Sequence, residues 1–306
     1  MKTNVLCKAF ATAGLAAVVF SACNKVETPE TTTDSLVAAK VLAGIQTKAS
    51  GITWDAADAI GITTTGNEKK DGKEYINIKF THDGLGIFNG SSPIYFQNKE
   101  NVTFTAYYPF NGNEGALPET AGVIEATTDA PNQTAAEQKN IDFMWAQTTA
   151  NVAEPTVSFM GPNAFTHKMS MLTLNFIQGD NVQLSDLSKY TLKGIALEGN
   201  FNIISGKANA NSTASDLDIL LSNVPDEASY KAGSLILFPQ TIAGGKVQLE
   251  VTLNSQTYNA SLSLVKLEAG TNYTFNIKVT KTGISTASAE ITKWTDAEPS
   301  NVDATM

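Results

Sequence analysis

Apolar residues stand at every second position in several stretches of this chain. In the first stretch the alternating apolar positions are Val37, Ala39, Val41, Ala43 and Ile45. A period of two residues is typical of a β-strand with one buried face, so we predict a strand over residues 37–45. A small, polar segment, residues 47–51, follows it. We predict an exposed loop there, which carries Lys48 next to Ala49.

The same alternation predicts many of the remaining strands. It is clearest in residues 102–108, 247–253, 258–264 and 273–279. Residues 254–256 have the composition of a turn that joins two of these stretches into a hairpin. Gly, Asn, Asp and Pro separate the stretches at the spacing of sandwich folds, and no window has the period of a long amphipathic helix. The pattern therefore predicts an all-β protein.

Two local irregularities lead to more specific predictions. Between Met171 and Leu172 the apolar positions shift from odd to even residue numbers, which indicates a β-bulge. Residues 184–190 have the pattern most compatible with a helix, and we predict two helical turns there.

The alternation is interrupted near residues 152–162, where two prolines and Gly161 lie close together. This composition is typical of a connection between domains. We therefore predict two tandem antiparallel β-sandwich domains, residues 51–158 and residues 159–306.

The first 22 residues have the pattern of a lipoprotein signal peptide. Two lysines precede an apolar run, residues 9–20, that is too short to cross a bilayer. The run ends in Phe20-Ser21-Ala22-Cys23, the lipobox pattern of bacterial lipoproteins. We expect cleavage before Cys23 and acylation of that residue, because several acyl chains give durable anchoring. The alternatives are an ordinary signal peptide with an incidental cysteine, or a buried N-terminal helix.

Residues 23–50 form a separate segment ahead of the first predicted domain. Residues 24–35 are polar and rich in threonine, which is the composition of a flexible tether. The predicted strand and the loop with Lys48 complete this segment.

Composition and charge argue against several classes of function. The only cysteine besides Cys23 is Cys7, which leaves with the leader, so no disulfide, thiolate metal site or cysteine nucleophile is expected. The formal net charge is −9, and loss of the two leader lysines brings it to −11. Such a surface repels phosphate, so we expect no nucleic-acid partner. With two histidines and no nucleophile elbow or phosphate loop, we expect no catalytic, metal or cofactor site.

A few side chains could belong to a site, but a structural role explains them better. We interpret His167, which lies among apolar residues, as a core or edge histidine with satisfied hydrogen bonds. Asp55 and Asp58 could bind a cation or a sugar, but no calcium-loop spacing follows, so we interpret them as turn-capping carboxylates. Tryptophans could stack on a sugar if exposed, although strand-borne aromatic residues are more often in the core. The three tryptophans are Trp54, Trp145 and Trp294.

Seven short motifs follow the lipobox and are spread over most of the chain. They are W-D-A-A-D-A-I-G-I (54–62), F-T-A-Y-Y-P-F (104–110), D-F-M-W-A (142–146), F-T-H-K-M-S-M-L (165–172), L-F-P-Q (237–240), A-G-T-N-Y-T-F-N-I-K-V-T-K-T-G (269–283) and I-T-K-W (291–294). In this order they resemble the fimbrillins, the lipoprotein precursors of type V pilus subunits in Gram-negative anaerobes.

The resemblance implies a fold and a route of assembly. It implies transthyretin-like β-sandwich domains, export to the outer membrane as a lipoprotein, and removal of the first strand by a trypsin-like protease. A strand of another subunit then fills the open groove, because unpaired backbone groups beside an apolar lining favour strand addition. In this sequence the removable strand corresponds to residues 37–45, and the cut falls between Lys48 and Ala49.

The chain departs from the family pattern at the processing site. The family's cut commonly follows arginine, and this chain has no arginine. Cleavage after Lys48 therefore needs a protease that accepts lysine. Lys40 is a poorer candidate, because it lies inside the predicted strand. The donor strand is less clear, since only residues 295–306 follow the last motif.

We therefore expect a fimbrial subunit of the cell surface and outer membrane that supports adhesion. Its expected partners are other pilus subunits, the maturation protease and the outer membrane, which it contacts through the lipid anchor. The alternative is a surface-anchored glycan- or host-binding lipoprotein that does not polymerise. That alternative predicts a fixed N-terminal strand and an exposed aromatic platform.

Overall fold

The computed structural model describes residues 36–45, 54–119, 121–221, 230–280, 283–286 and 290–294. Strands dominate these ranges, and the only α-helix in them is a single turn, α1 (Gln138–Ile141). The all-β fold predicted from the alternation is confirmed. The reason is that alternating β-branched and aromatic residues fit a pleated surface with one buried face.

The first nine strands lie before residue 168. They are β1 (Lys40–Ala43), β2 (Ala59–Thr65), β3 (Ile78–His82), β4 (Phe88–Gly90), β5 (Val102–Tyr108), β6 (Val123–Thr127), β7 (Met144–Ala150), β8 (Thr156–Phe159) and β9 (Thr166–His167).

The remaining strands begin at Ser170. They are β10 (Ser170–Gln178), β11 (Leu187–Ala196), β12 (Glu198–Asn202), β13 (Lys207–Ala210), β14 (Ala214–Leu220), β15 (Tyr230–Leu237), β16 (Gln240–Thr241), β17 (Lys246–Leu253), β18 (Gln256–Ser263), β19 (Lys266–Leu267), β20 (Thr271–Thr280), β21 (Gly283–Thr286) and β22 (Glu290–Lys293).

A six-stranded sheet in the order β4-β3-β2-β5-β7-β9 supports the first core. The two-stranded sheet β1-β8 contributes side chains to the same core. Residues that are buried in this core include Val41, Ile60, Ile62, Phe80, Phe96, Phe104, Val157, Phe159 and Phe165. The first core therefore depends on the small β1-β8 sheet as well as on the large one.

Two further sheets, one of five strands and one of four, enclose the second core. One has the order β15-β10-β20-β21, with β22 also paired to β20, and the other has the order β14-β11-β17-β18. Their inward side chains form one cluster, which includes Leu172, Leu174, Phe176, Tyr190, Leu192, Leu249, Phe275 and Ile277. This arrangement is a β-sandwich, because the apolar faces of two sheets pack on each other.

A third cluster of buried side chains lies beside the three-stranded sheet β13-β12-β6. It gathers Tyr107 from β5, Phe143, Met169, Phe201 from β12, Ile236 and Phe238, and Trp294. The rings of Phe143 and Phe201 stack with centroids 4.8 Å apart. Because its members come from both sides of residue 160, this cluster ties the two parts of the chain together.

The strand predictions are confirmed for four of the clearest stretches. Residues 102–108 form β5, residues 247–253 lie in β17, residues 258–263 lie in β18 and residues 273–279 lie in β20. The pairing is antiparallel in the described sheets except for β1 with β8 and β10 with β20.

Two of the local predictions are wrong. The register of β10 is regular on both of its neighbours, so no bulge follows Met171. Met171 packs against the third cluster while Leu172 faces the second core, because the start of this strand is covered on both faces. In residues 184–190, only Leu184–Asp186 form a 3-10 turn, and Leu187 already begins β11.

The predicted division near residue 158 stays a prediction. The segment around it contains β8, which pairs with β1, and β9 pairs with β7 across the predicted boundary. Strand β6 likewise pairs with β12. Backbone hydrogen bonds therefore connect the two predicted domains at more than one place.

Within the described ranges, no helix has the length and apolar character needed to cross a membrane.

Two buried tyrosines provide a test of the packing. The Tyr190 hydroxyl is buried in the second core without a hydrogen-bond partner among the described residues, and burial raises its pKa. The Tyr107 hydroxyl donates to Asn77 Oδ1 at 2.8 Å and accepts from Asn111 N at 3.1 Å. Its burial raises the pKa of Tyr107 to about 12.

We expect Tyr190→Phe to raise the free energy of unfolding by about 1 kcal/mol, because it removes an unsatisfied hydroxyl. Tyr107→Phe should lower it by about 1–2 kcal/mol, because it leaves Asn77 and Asn111 with unpaired groups. Urea denaturation of the two variants measures both changes. Equal destabilisation by the two substitutions would contradict this account of the cores.

Candidate functional site

Strand β1 lies in a groove with two different walls, which we call the β1 groove. On one side β1 runs parallel to β8, with Val41 opposite Val157. Lys40 N donates to Pro155 O at 3.0 Å, and Gly44 N donates to Phe159 O at 2.9 Å. Each of these bonds is a backbone contact that any extended chain could make.

The other wall consists of residues 94–96, which run antiparallel to residues 37–39, directly ahead of β1. Ala39 N donates to Ile94 O at 2.8 Å, and Phe96 N donates to Val37 O at 3.0 Å. The N-terminal part of the segment therefore bonds to residues 94–96, and the C-terminal part bonds to β8.

Four of the five side chains predicted from alternation lie in the first core or pack against it. Val41 is 2% exposed and Ala43 is 8% exposed. Lys40, which directly precedes Val41, is exposed. Ala39 and Ile45 pack against the first core from its margin, and Val37 is half-buried. The strand thus contributes an apolar face made of small and medium-sized side chains.

Trp54 covers the C-terminal end of β1. Its Nε1 donates to Ala43 O at 3.1 Å. The ring lies edge-on to Phe88, Tyr108 and Phe165, with centroids between 5.2 and 5.4 Å away. This half-buried tryptophan is therefore part of the groove lining, in agreement with its interpretation as a core residue.

Of Asp55 and Asp58, Asp58 has the turn-capping role expected of its carboxylate. Asp58 Oδ2 accepts a hydrogen bond from Asp55 N at 2.7 Å, which caps the turn. Asp58 Oδ1 accepts from the Tyr108 hydroxyl at 3.2 Å. Burial, together with the negative charge of Asp58, raises the pKa of Tyr108 well above its usual range. The phenol therefore stays protonated and continues to donate to Asp58.

Strand β8 forms one wall of the β1 groove, but the alternation of apolar residues does not predict it. This strand lies in the proline- and glycine-containing segment, residues 152–162, whose composition predicts a connection between domains. Its two inward residues, Val157 and Phe159, are fully buried. A signal was present in the Thr-Val-Ser-Phe alternation of residues 156–159, but four residues between Pro155 and Gly161 are too few to distinguish a strand from a linker.

The remaining candidate side chains lie in packed surroundings. His167 is buried, its Nδ1 lies 2.8 Å from Asp142 Oδ1, and its ring stacks on Trp294 with centroids 3.9 Å apart. The prediction of a core histidine is confirmed. Trp145 is half-buried and donates to Ile203 O at 2.9 Å. Among the aromatic side chains whose exposure the structure describes, none is fully exposed.

No three His, Cys, Asp or Glu side chains of the described ranges come together in a way that could hold a metal ion. The other predicted site residues, Cys23, Lys48 and Ala49, lie outside the described residues. Lys40 lies within β1, where its backbone is bonded to the neighbouring strand.

Comparison with known proteins gives consistent similarities. The model of the family described as fimbrillin-like matches residues 47–294. A protein of Bacteroides uniformis that carries the provisional name fimbrium subunit Fim1C is 26% identical over 300 residues, which cover 92% of this chain and 93% of that protein.

Solved structures show the same similarity. A provisionally named cell adhesion protein from Bacteroides ovatus superposes with a TM-score of 0.73 and 31% identity, covering 86% of this chain and 99% of that one. One from Bacteroides uniformis superposes with a TM-score of 0.66 and 24% identity, with the same coverage of both chains. The second likeness concerns the fold alone.

The burial of Val41 leads to a prediction about the groove. Val41→Asp places a carboxylate without a partner in the first core, which costs about 3 kcal/mol or more, so we expect β1 to separate from β8. Amide hydrogen exchange of residues 40–43 should then lose its protection. The control is Lys40→Asp, which changes an exposed neighbour and should alter stability by no more than about 0.5 kcal/mol. Similar exchange rates in both variants would contradict the inward orientation of Val41.

Proposed function

Because the chain belongs to the fimbrillin-like family, we propose that it is a fimbrial subunit of the cell surface that assembles by exchange of its first strand. The observation that carries this proposal is the β1 groove. A short strand with small inward side chains fills it, and the segment with Lys48 follows that strand directly in the sequence.

Loss of residues 36–45, which contain β1, would leave both walls of the groove with unpaired backbone groups. The carbonyl oxygens of Ile94, Pro155 and Phe159 would lose their donors, and the amide of Phe96 would lose its acceptor. An open edge of this kind beside apolar side chains pairs readily with another strand. A strand of a neighbouring subunit would restore the hydrogen bonds and cover the first core again.

The inward residues of β1 also suit a strand that has to leave. Val41 and Ala43 are its buried side chains, and burial stabilises by roughly 0.8 kcal/mol for each CH₂ group. A strand with small side chains is therefore held less firmly by the core than one with large aliphatic or aromatic residues. Once the covalent connection is cut, it can be replaced.

We propose that maturation follows the order expected for a lipoprotein precursor. Acylated Cys23 anchors the precursor in the outer membrane, and a lysine-accepting, trypsin-like protease cuts between Lys48 and Ala49. Pairing of Lys40 within the β1-β8 sheet supports the choice of Lys48, because proteases bind their substrates as extended chains with free backbone groups. One cut would release the strand and the lipid together.

Other pilus subunits are the partners in this proposal, and adhesion is the activity that the assembled fimbrium supports. The alternative of a glycan- or host-binding lipoprotein that does not polymerise requires an exposed aromatic platform. The described aromatic side chains are buried or half-buried, so they do not favour that alternative.

N-terminal sequencing of the surface-assembled protein tests the proposal. We expect the sequence to begin at Ala49 and unheated samples to give a ladder on SDS gels, whereas Lys48→Gln should abolish both. Lys40→Gln is the matched control and should leave processing unchanged. An assembled protein that begins at lipidated Cys23 would overturn the role of a polymerising subunit, because its first strand would still be in place.

A further inference from the structure

The wall formed by residues 94–97 is bonded differently on its two edges. Ile94 O and Phe96 N bond to Ala39 N and Val37 O, directly ahead of β1, as described above. The backbone groups of Tyr95 and Gln97 point the other way, because successive residues of an extended chain direct their hydrogen-bonding groups to opposite sides. No neighbouring strand occupies that second edge in the described part of the chain. Side chains pair with it instead.

Asn67 supplies the first of these side chains. Its Nδ2 donates to Tyr95 O at 3.0 Å, and its Oδ1 accepts from Gln97 N at 2.9 Å. The carboxamide therefore takes the place of a peptide group in an adjacent strand. Asn67 is fully buried, so these bonds are shielded from competition by water.

Tyr75 supplies the second side chain. Its hydroxyl oxygen accepts from Tyr95 N at 3.2 Å and from Gln97 Nε2 at 3.0 Å. Together, Asn67 and Tyr75 pair three backbone groups on this second edge, namely Tyr95 N, Tyr95 O and Gln97 N.

Glu74 fixes the turn that carries Asn67. Its Oε1 accepts from Gly66 N at 2.6 Å and from Asn67 N at 2.9 Å, and its Oε2 accepts from the Thr64 hydroxyl at 2.6 Å. None of these bonds involves a residue of β1. The support of the wall is therefore independent of the strand that the proposed function removes.

We infer that Asn67 and Tyr75 are positioning residues that hold residues 94–97 in place when β1 leaves, so that the open groove keeps a preformed edge for the strand of another subunit. This inference rests on the proposed function. The incoming strand runs antiparallel to residues 94–96 and parallel to β8, as residues 37–39 and β1 do, respectively. A wall that is already ordered spares the conformational entropy of ordering it during assembly.

The test uses the chain of residues 23–306 with Cys23→Ser, which prevents lipidation, and with a site-specific protease sequence in place of residues 46–50. After cleavage the first strand is held only by non-covalent contacts, and a fluorescent peptide of residues 36–45 replaces it. The dissociation rate of this peptide is measured in a chase with unlabelled peptide. We expect Asn67→Ala to raise the rate about tenfold, because the wall loses two buried hydrogen bonds.

The matched control is Asn98→Ala. Asn98 is exposed, and its Nδ2 donates to Gly66 O at 3.2 Å in the same region of the chain. This variant should leave the dissociation rate unchanged. If Asn67→Ala does not fold, Tyr75→Phe provides the same comparison, because it removes only the hydroxyl that accepts from Tyr95 N.

Peptides methylated on one backbone nitrogen separate positioning from general destabilisation. Methylation of Ala39 removes the bond to Ile94 O on the wall held by Asn67, and methylation of Lys40 removes the bond to Pro155 O on the opposite wall. Both should speed dissociation from the unaltered groove. With Asn67→Ala, methylation of Ala39 should have little further effect, whereas methylation of Lys40 should keep its full effect.

Two outcomes overturn different statements. If the peptide replaces the strand but Asn67→Ala changes neither its dissociation rate nor the effect of Ala39 methylation, the positioning role is wrong and strand exchange stands. The positioning role is also wrong if Asn67→Ala alters the effects of both methylations equally. If the peptide never replaces the first strand in the unaltered cleaved chain, the proposed function itself fails.

Discussion

Backbone hydrogen bonding along residues 36–45 closes the first core, and the walls that it joins come from distant parts of the sequence. Buried backbone N–H and C=O groups need hydrogen-bond partners. The edges of β8 and of residues 94–96 therefore have to be paired with a strand or exposed to water. One short strand satisfies the two edges at once. The integrity of the first core and the strand exchange proposed above therefore depend on the same few bonds.

Side-chain contacts hold the surroundings of the groove in place on both sides of the strand. Trp54 contacts three aromatic rings, and the turn with Asp55 and Asp58 holds it at the end of β1. On the other side, Asn67 and Tyr75 hold the antiparallel wall through side-chain bonds. Large aromatic side chains line the groove, while the strand presents valine and alanine to them. This difference in size fits the proposal, in which the aromatic lining of the groove stays in place and the strand is replaced.

The sequence predicts those strands well that have one face buried and the other exposed to solvent. Strands β17 and β20 show this, since Val247 to Leu253 and Tyr273 to Val279 are buried at every second residue. The prediction fails at the start of β10, where Met171 and Leu172 are covered on opposite faces and the change of parity imitates a bulge. It also fails at β8, which is too short to show a period.

For a similar reason, only part of the candidate site could be predicted from the sequence. The inward residues of β1 follow a simple alternation, so Val41 and Ala43 could be predicted to be buried. The partners of Tyr95 and Gln97 could not, because Asn67 and Tyr75 act through contacts between residues 20 to 30 positions apart. Polar residues that bond across such separations leave no periodic trace in a single sequence.

The parallel pairing of β10 with β20 has a consequence for the order of folding. It brings Leu174 opposite Phe275, so residues about a hundred positions apart meet in the middle of one sheet. Contacts of such large sequence separation slow folding, because a long loop must close before they form. The β-sandwich around the second core cannot be completed until residues as far apart as Leu174 and Phe275 are both available. A chain with this topology stays open during synthesis for longer than one built from neighbouring hairpins, which would suit the exported precursor proposed above.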